Sequence, residues 1–170
     1  MIRLLIITYW VLASCLSFGQ AQYEVSQDPK HPEVKVLRGL INRDIIKNDT
    51  SFNWYKSSQG YYSPDTSVIN ALQKAKSQVQ YVIFGGTWCE DTQFIFPKFF
   101  KLQELSGVPD DRVTVFGVNR DKVALGHIAE AFAIINVPTI IVMKDGKEIG
   151  RIVEYGKTGK WDKELADLLK

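Results

Sequence analysis

The hydrophobic and polar positions of this chain switch between two periods, and the switches mark its elements. Tyr81-Val82-Ile83-Phe84 is an unbroken apolar run, the pattern of a strand buried on both faces. Gly85-Gly86-Thr87-Trp88 reads as a turn, and from Cys89 to about Leu105 the spacing is helical, with Phe94, Phe99, Leu102 and Leu105 set for a buried side. Val113 to Val118 predicts a second buried strand, Asp121 to Ala133 a second helix, and Thr139 to Met143 a third strand. Lys144-Asp145-Gly146-Lys147 predicts a hairpin, because Asp-Gly supplies the positive φ angles of tight hairpins. Glu148 to Tyr155 is the returning strand. Trp161 to Leu169 closes as a helix with Leu165, Leu168 and Leu169 on one side. Upstream, Ser63-Pro64-Asp65-Thr66 is a helix-start signal, followed at helical period by Val68, Ile69, Leu72 and Ala75. Alternating helix and strand predicts an α/β domain whose sheet starts parallel, gains an antiparallel edge from the hairpin, and carries helices on both faces.

The segment before this domain divides into three. Arg3, an apolar run from Leu4 to Phe18, and then Gly19-Gln20-Ala21-Gln22 fit a secretory signal cleaved after Ala21. The run is too short, and too soon interrupted, for a stable membrane span. Leu12-Ala13-Ser14-Cys15 also resembles a lipobox, in which Cys15 would be lipidated and become the new N-terminus, although Leu16 and Phe18 continue the apolar run past it. The expectation is a signal peptide over 1–21 and an exported protein, periplasmic or extracellular, with a lipid anchor at Cys15 as the alternative. Residues 22–35, polar and holding Pro29 and Pro32, read as a linker or frayed arm. Residues 36–66 mix short apolar pieces with Phe52, Trp54, Tyr55, Tyr61 and Tyr62. They are too few for a core of their own, so they predict an extension packed on the domain at 67–170.

Charge narrows the function classes. Lysines and arginines number 21 against 19 acids, with no basic stripe, which argues against nucleic acid as a partner. The two histidines, His31 and His127, are far apart, and Cys89, Glu90 and Asp91 are adjacent and do not readily converge on one ion. No metal or other cofactor is therefore expected. Cysteine usage is more informative. Of two cysteines, Cys15 lies in the leader, so the mature domain has one thiol, Cys89. In an exported protein, where disulfides persist, that thiol is either buried and inert or available to outside partners.

Its position favours availability. A cysteine at a helix N-terminus faces unpaired backbone N–H groups and the positive end of the helix dipole, both of which favour the nucleophilic thiolate. Thr92, three residues on, lies on the same helical face and can offer its hydroxyl to the sulfur. Glu90 and Asp91 suit the first helical turn, but negative charge close to sulfur disfavours the thiolate. Arg120, just after a predicted parallel strand, is a candidate to offset them.

Strand, Trp-Cys-x-x-hydroxyl residue, helix, strand, helix, Val-Pro-Thr, strand, Asp-Gly turn, strand, helix resembles the thioredoxin superfamily. Trp88-Cys89 matches that family's tryptophan and attacking cysteine, and Pro97 the proline of its active-site helix. Val137-Pro138-Thr139 matches its cis-proline loop, and Lys144-Asp145-Gly146-Lys147 its terminal hairpin. The match runs from about Val68 to Lys170. The longer pattern, with its extension, Gly-Thr-Trp-Cys-x-Asp-Thr, Arg120 and Gly150-Arg151-Ile152-Val153-Glu154, looks like exported bacterial thioredoxin-like proteins. The resemblance implies a thioredoxin-like three-layer fold with a central mixed sheet, and a cis bond before Pro138. Two departures matter. Thr92 stands where thioredoxins have their resolving cysteine, and Ile83 where they have the buried acid that serves it. Gly86 stands where peroxiredoxins carry a threonine.

These features predict thiol–disulfide exchange through one cysteine. Cys89 would attack, Thr92 would hydrogen-bond the thiolate, and Trp88 and Pro138 would complete the site. The backbone of Val137 and Thr139 would hold the partner chain by strand-like pairing, and an external thiol would release it. The expected partners are protein or small-molecule thiols and disulfides, met by a monomer. The competing reading is a non-enzymatic binding or chaperone-like module that uses the same groove, with Cys89 vestigial.

Overall fold

The computed structural model describes residues 22–170. The leader at 1–21, with Cys15 and its two processing routes, lies outside the described residues. Six strands form one mixed sheet in the order β1-β2-β4-β3-β5-β6, with β1 at Tyr23–Gln27, β2 at Lys35–Ile41, β3 at Gln80–Gly85, β4 at Val113–Gly117, β5 at Thr139–Lys144 and β6 at Lys147–Val153. β3 and β4 run parallel, and every other neighbouring pair is antiparallel. The helices are α1 (Arg43–Asn48), α2 (Trp54–Gly60), α3 (Thr66–Ala75), α4 (Glu90–Ser106), α5 (Ile128–Ala131) and α6 (Trp161–Asp167).

The central strands are apolar throughout because each face of the sheet buries its own core. On β3, Tyr81 and Ile83 enter a cluster with Ile140 and Val142 of β5 and with Leu72, Phe96, Phe99, Leu102 and Leu165 of α3, α4 and α6. Phe84, on the alternate face, joins Ile141, Val118, Ala129 and Val137 beside α5. This is the three-layer α/β arrangement expected, with the tight turn at Asp145-Gly146, where both φ angles are positive.

Three expectations are corrected. The segment read as a linker or frayed arm is ordered. Tyr23–Gln27 pairs with β2 from Tyr23↔Gly39 to Gln27↔Lys35, and the Asp28 N–H donates to the Val34 carbonyl at 2.9 Å to close the connecting loop. The helix expected over Asp121–Ala133 shrinks to a 3-10 turn at Leu125–His127 and the one-turn α5. Lys122, Gly126, His127 and Ala133 all take positive φ, and the Asn119 side chain binds the Asp121 and Val123 N–H groups in a loop instead. Phe94 and Leu105, expected inside, are 41% and 51% exposed. α4 is covered by the sheet on one side and by α2 on another, as in the Tyr55–Phe100 contact at 6.3 Å. Its large buried apolar side chains are therefore Ile95, Phe96, Phe99, Phe100 and Leu102.

The extension does more than cover an edge. β2 pairs with β4 only from Gly39 to Ile41. Its first half crosses over the end of the sheet, where a Cβ on Gly117 would stand 2.3 Å from the Leu37 carbonyl oxygen. That crossing carries the chain to the turn after β3, where the buried Thr87 hydroxyl donates to Lys35 O at 2.8 Å and accepts the Leu37 N–H at 3.2 Å.

Candidate functional site

Cys89 is the N-cap of α4, with extended backbone (φ −95°, ψ 124°), and no side chain caps the helix there. Its N–H donates to Gly86 O at 2.9 Å, which closes the turn, and its carbonyl accepts the first helical bond, from Gln93 N, at 3.0 Å. The side chain is partly exposed. Sγ lies 3.4 Å from the Val137 carbonyl oxygen, to which the thiol donates. Val137-Pro138 is a cis peptide bond, as the resemblance implied. The sulfur thus sits between the start of α4, the Trp88 turn and the Val137 loop.

The other expected site residues divide. Thr92 is fully buried, and its hydroxyl accepts the Gly86 N–H at 3.2 Å. It braces the turn and makes no hydrogen bond with the sulfur. Trp88 is fixed on two sides: Nε1 donates to Val118 O at 2.9 Å, and its ring fills the space over Gly86, where a Cβ would meet Nε1 at 2.4 Å. Val137 presents its carbonyl to the sulfur. Thr139 does not face the site. It is 2% exposed and lies in β5 between Phe84 of β3 and Val153 of β6, so both of its strand edges have sheet neighbours. Pro138 gives its carbonyl to the Glu154 N–H at 2.7 Å. The Thr139 edge is therefore closed to a partner chain, and Val137 is itself 4% exposed, with its carbonyl taken by the Cys89 thiol.

Arg120 is not free to offset Glu90 and Asp91. Its Nε donates to Asp28 Oδ2 at 2.6 Å, and its guanidinium lies 4.8 Å from the Trp88 ring centroid. Asp28 is 1% exposed, and its other oxygen accepts the Lys30 and His31 N–H groups at 2.8 and 3.0 Å. Burial pushes this carboxyl up, but the Arg120 hydrogen bond and the two backbone donors outweigh it and hold Asp28 below the usual carboxylate range. Through Asp28 the N-terminal arm becomes a wall of the site. His31, Glu33 and Val34 line a cleft of about 620 Å³ together with Trp88, Cys89, Glu90, Asp91, Gln93 and Arg120. Sequence reasoning missed this wall, although Asp28-Pro29 is a turn-initiating pair that pointed to an ordered loop. It also missed Tyr155, whose ring lies tilted against Phe94 with centroids 5.5 Å apart. Burial and the neighbouring Asp91 carboxylate push the Tyr155 hydroxyl up to about 12.

The thioredoxin family model matches residues 65–167, from just before α3 through α6. The chain belongs to the thioredoxin family. A thioredoxin from Mycolicibacterium smegmatis is 34% identical over 88 residues, 52% of this chain and 76% of the relative. A thioredoxin from Alicyclobacillus acidocaldarius is 28% identical over 62% of this chain and 94% of its own length. Among solved structures, an HIV epitope scaffold aligns with a TM-score of 0.47 at 15% identity over 73% of this chain and 86% of that one, too remote a likeness to argue from. The family match leaves residues 22–64 outside it, and with them the wall built by Asp28, His31, Glu33 and Val34. Among the described residues, no helix is long and apolar enough to cross a membrane, and no cluster of three His, Cys, Asp or Glu side chains is arranged to hold a metal.

Two predictions arise from this geometry. Thr92→Val keeps the shape but leaves the buried Gly86 N–H without its acceptor, so it should cost about 1–3 kcal/mol in urea denaturation. The Cys89 alkylation rate should move by less than about twofold, because the hydroxyl braces the turn and not the thiolate. The second concerns pH. A carboxyl held below its unfolded value contributes stability that is present above the unfolded pKa and lost as pH falls through the folded one. The melting temperature of Asp28→Asn should lie furthest below the parent's from neutral pH down to about pH 4, and the gap should close only as pH falls further, through the lowered Asp28 value.

Proposed function

We propose that this protein carries out thiol–disulfide exchange in the cell envelope with Cys89 as its single nucleophile. The Cys89 thiolate attacks one sulfur of a partner disulfide. That S–S bond breaks, the second partner sulfur leaves as thiolate with the electron pair, and Cys89 and the first sulfur form a mixed disulfide. An external thiolate, from a small molecule or a second protein, then attacks the partner sulfur and returns Cys89 to the thiolate. Electrons pass from the external thiol to the partner disulfide, and Cys89 ends unchanged. The observation that carries the reading is Cys89 itself: a partly exposed sulfur at the start of the seventeen-residue α4, held 3.4 Å from the Val137 carbonyl oxygen and lining an open cleft. Membership of the thioredoxin family supports the redox role. Thr92 in place of a second cysteine supports the one-thiol route, because Cys89 is the one cysteine among the described residues. The apolar leader before Gln22 supports the envelope as its place of work.

The test is capture. Incubated with a small symmetrical disulfide, the folded protein should gain one mixed-disulfide adduct at Cys89, seen by peptide mass spectrometry, and lose it only on addition of a thiol. Folded protein that gains no adduct, while free cysteine under the same conditions does, rules the reading out. The retained binding cleft would then favour the non-enzymatic module.

A further inference from the structure

We propose that Asp28 is a specificity-determining residue of the Cys89 cleft: by neutralising Arg120 it leaves the cleft negatively charged, so that Cys89 takes disulfides borne on cationic groups in preference to anionic ones. The inference rests on the reading of Cys89 as an exchange nucleophile. Five charged or titratable side chains line the cleft with the cysteine: Arg120, His31, Glu33, Glu90 and Asp91. Arg120 is spoken for, since its Nε lies 2.6 Å from an Asp28 carboxylate with no exposed side-chain surface. That pair sums to zero. His31 Nδ1 lies 3.6 Å from Glu33 Oε1, so a proton taken up by His31 is matched where it arrives. Among the described residues, Glu90 and Asp91, both in the first turn of α4, have no cation in ion-pair reach. The cleft is therefore negative whichever state His31 holds. With Asp28 neutral, the Arg120 guanidinium would cancel one of the two carboxylates at the mouth of the site. Opposite charges a few ångströms apart attract and like charges repel, and rates of approach follow.

Two methanethiosulfonate reagents of similar size, one ending in trimethylammonium and the other in sulfonate, test this on the full chain. In each case the Cys89 thiolate attacks the reagent's sulfenyl sulfur, a new S–S bond forms, the S–SO₂ bond breaks and methanesulfinate leaves with the electron pair. Each rate at Cys89, followed by peptide mass spectrometry, is divided by that of the same reagent with a neutral small thiol. The corrected ratio should favour the cation by about tenfold at low ionic strength and shrink as salt screens it. Asp28→Asn keeps an oxygen for the Lys30 and His31 N–H groups but unmasks Arg120, and should lower the ratio by about threefold or more. The double variant Asp28→Asn with Arg120→Gln has no ion pair but the parent's net charge, and should return the ratio to the parent's value. A parent ratio near one, or an unchanged ratio in Asp28→Asn, overturns the proposal. So does a double variant that stays as low as the single one, which would assign the effect to lost arm packing. A Cys89 inert to both reagents overturns the exchange reading itself, and this inference with it.

Discussion

A Cys89→Ser protein should form no mixed disulfide at all and should at the same time melt higher than its parent. The first half follows from chemistry: a hydroxyl at neutral pH does not attack a disulfide, and the described chain holds no second thiol to take over. The second half follows from the helix. Position 89 is the N-cap of α4, and the cysteine there makes no capping hydrogen bond. Serine is among the favoured N-cap residues, and its oxygen can accept an N–H of the first turn, a gain of about 0.5–1 kcal/mol. The bond given up, from Sγ to Val137 O at 3.4 Å, is a weak thiol donor's. Adduct mass and a melting curve read both halves on one sample. Loss of capture with a higher melting temperature would mean that cysteine is kept at this cap for its reactivity. Unchanged non-covalent partner binding in the same variant would mean that the cleft recognises partners without the thiol.

Gly117→Ala should strongly destabilise the sheet. The added methyl would stand 2.3 Å from the Leu37 carbonyl oxygen and 2.9 Å from its carbon. Both are backbone, so no flexible side chain can yield, and β2 has to move. Moving it loosens the Leu37 N–H and Lys35 carbonyl from Thr87 and so reaches the turn that presents Trp88 and Cys89. A loss of about 3 kcal/mol is expected in urea denaturation. Gly146→Ala is the control: nothing lies within 4 Å of its Cβ, and φ is +74°, so the cost is the left-handed strain alone, about 1–2 kcal/mol. A Gly117→Ala loss below about 1 kcal/mol would mean that β2 does not press on the end of the sheet.

The parts of this structure legible in the sequence are those where one interaction dominates. Tyr81 to Phe84 is apolar because both faces of β3 are covered, and the run can be read without knowing what covers it. Asp145-Gly146 dictates its turn locally, and Cys89 follows a turn and begins a helix whatever else packs nearby. Other features depend on a partner distant in sequence. Tyr23–Gln27 is a strand because β2 lies beside it; its polar residues stay polar because β1 is an edge, with four of its five residues exposed. Thr92 is at the right spacing to reach the sulfur, but the Gly86 N–H, buried with it, claims the hydroxyl. Thr139 belongs to a loop motif in the sequence and to the middle of the sheet in space. Arg120 does stand at the end of a parallel strand, as expected. The carboxylate that meets it is Asp28, from a segment whose composition gave no sign of order beyond Asp28-Pro29.

The crossing of β2 over the end of the sheet also orders events in folding. β1 and β2 are made first, but Leu40 must pair with Phe116 and Gly39 with Gly117, and α1 to α4 all intervene in the chain. A two-stranded hairpin alone is marginal in water, and closing so long a loop is paid for before the pairing rewards it. Docking of the arm after β3 and β4 is therefore the expected order, and on it Cys89 would reach its place before its wall does. In such an interval the thiol would meet whatever surrounds it without the charge selection proposed for the finished cleft.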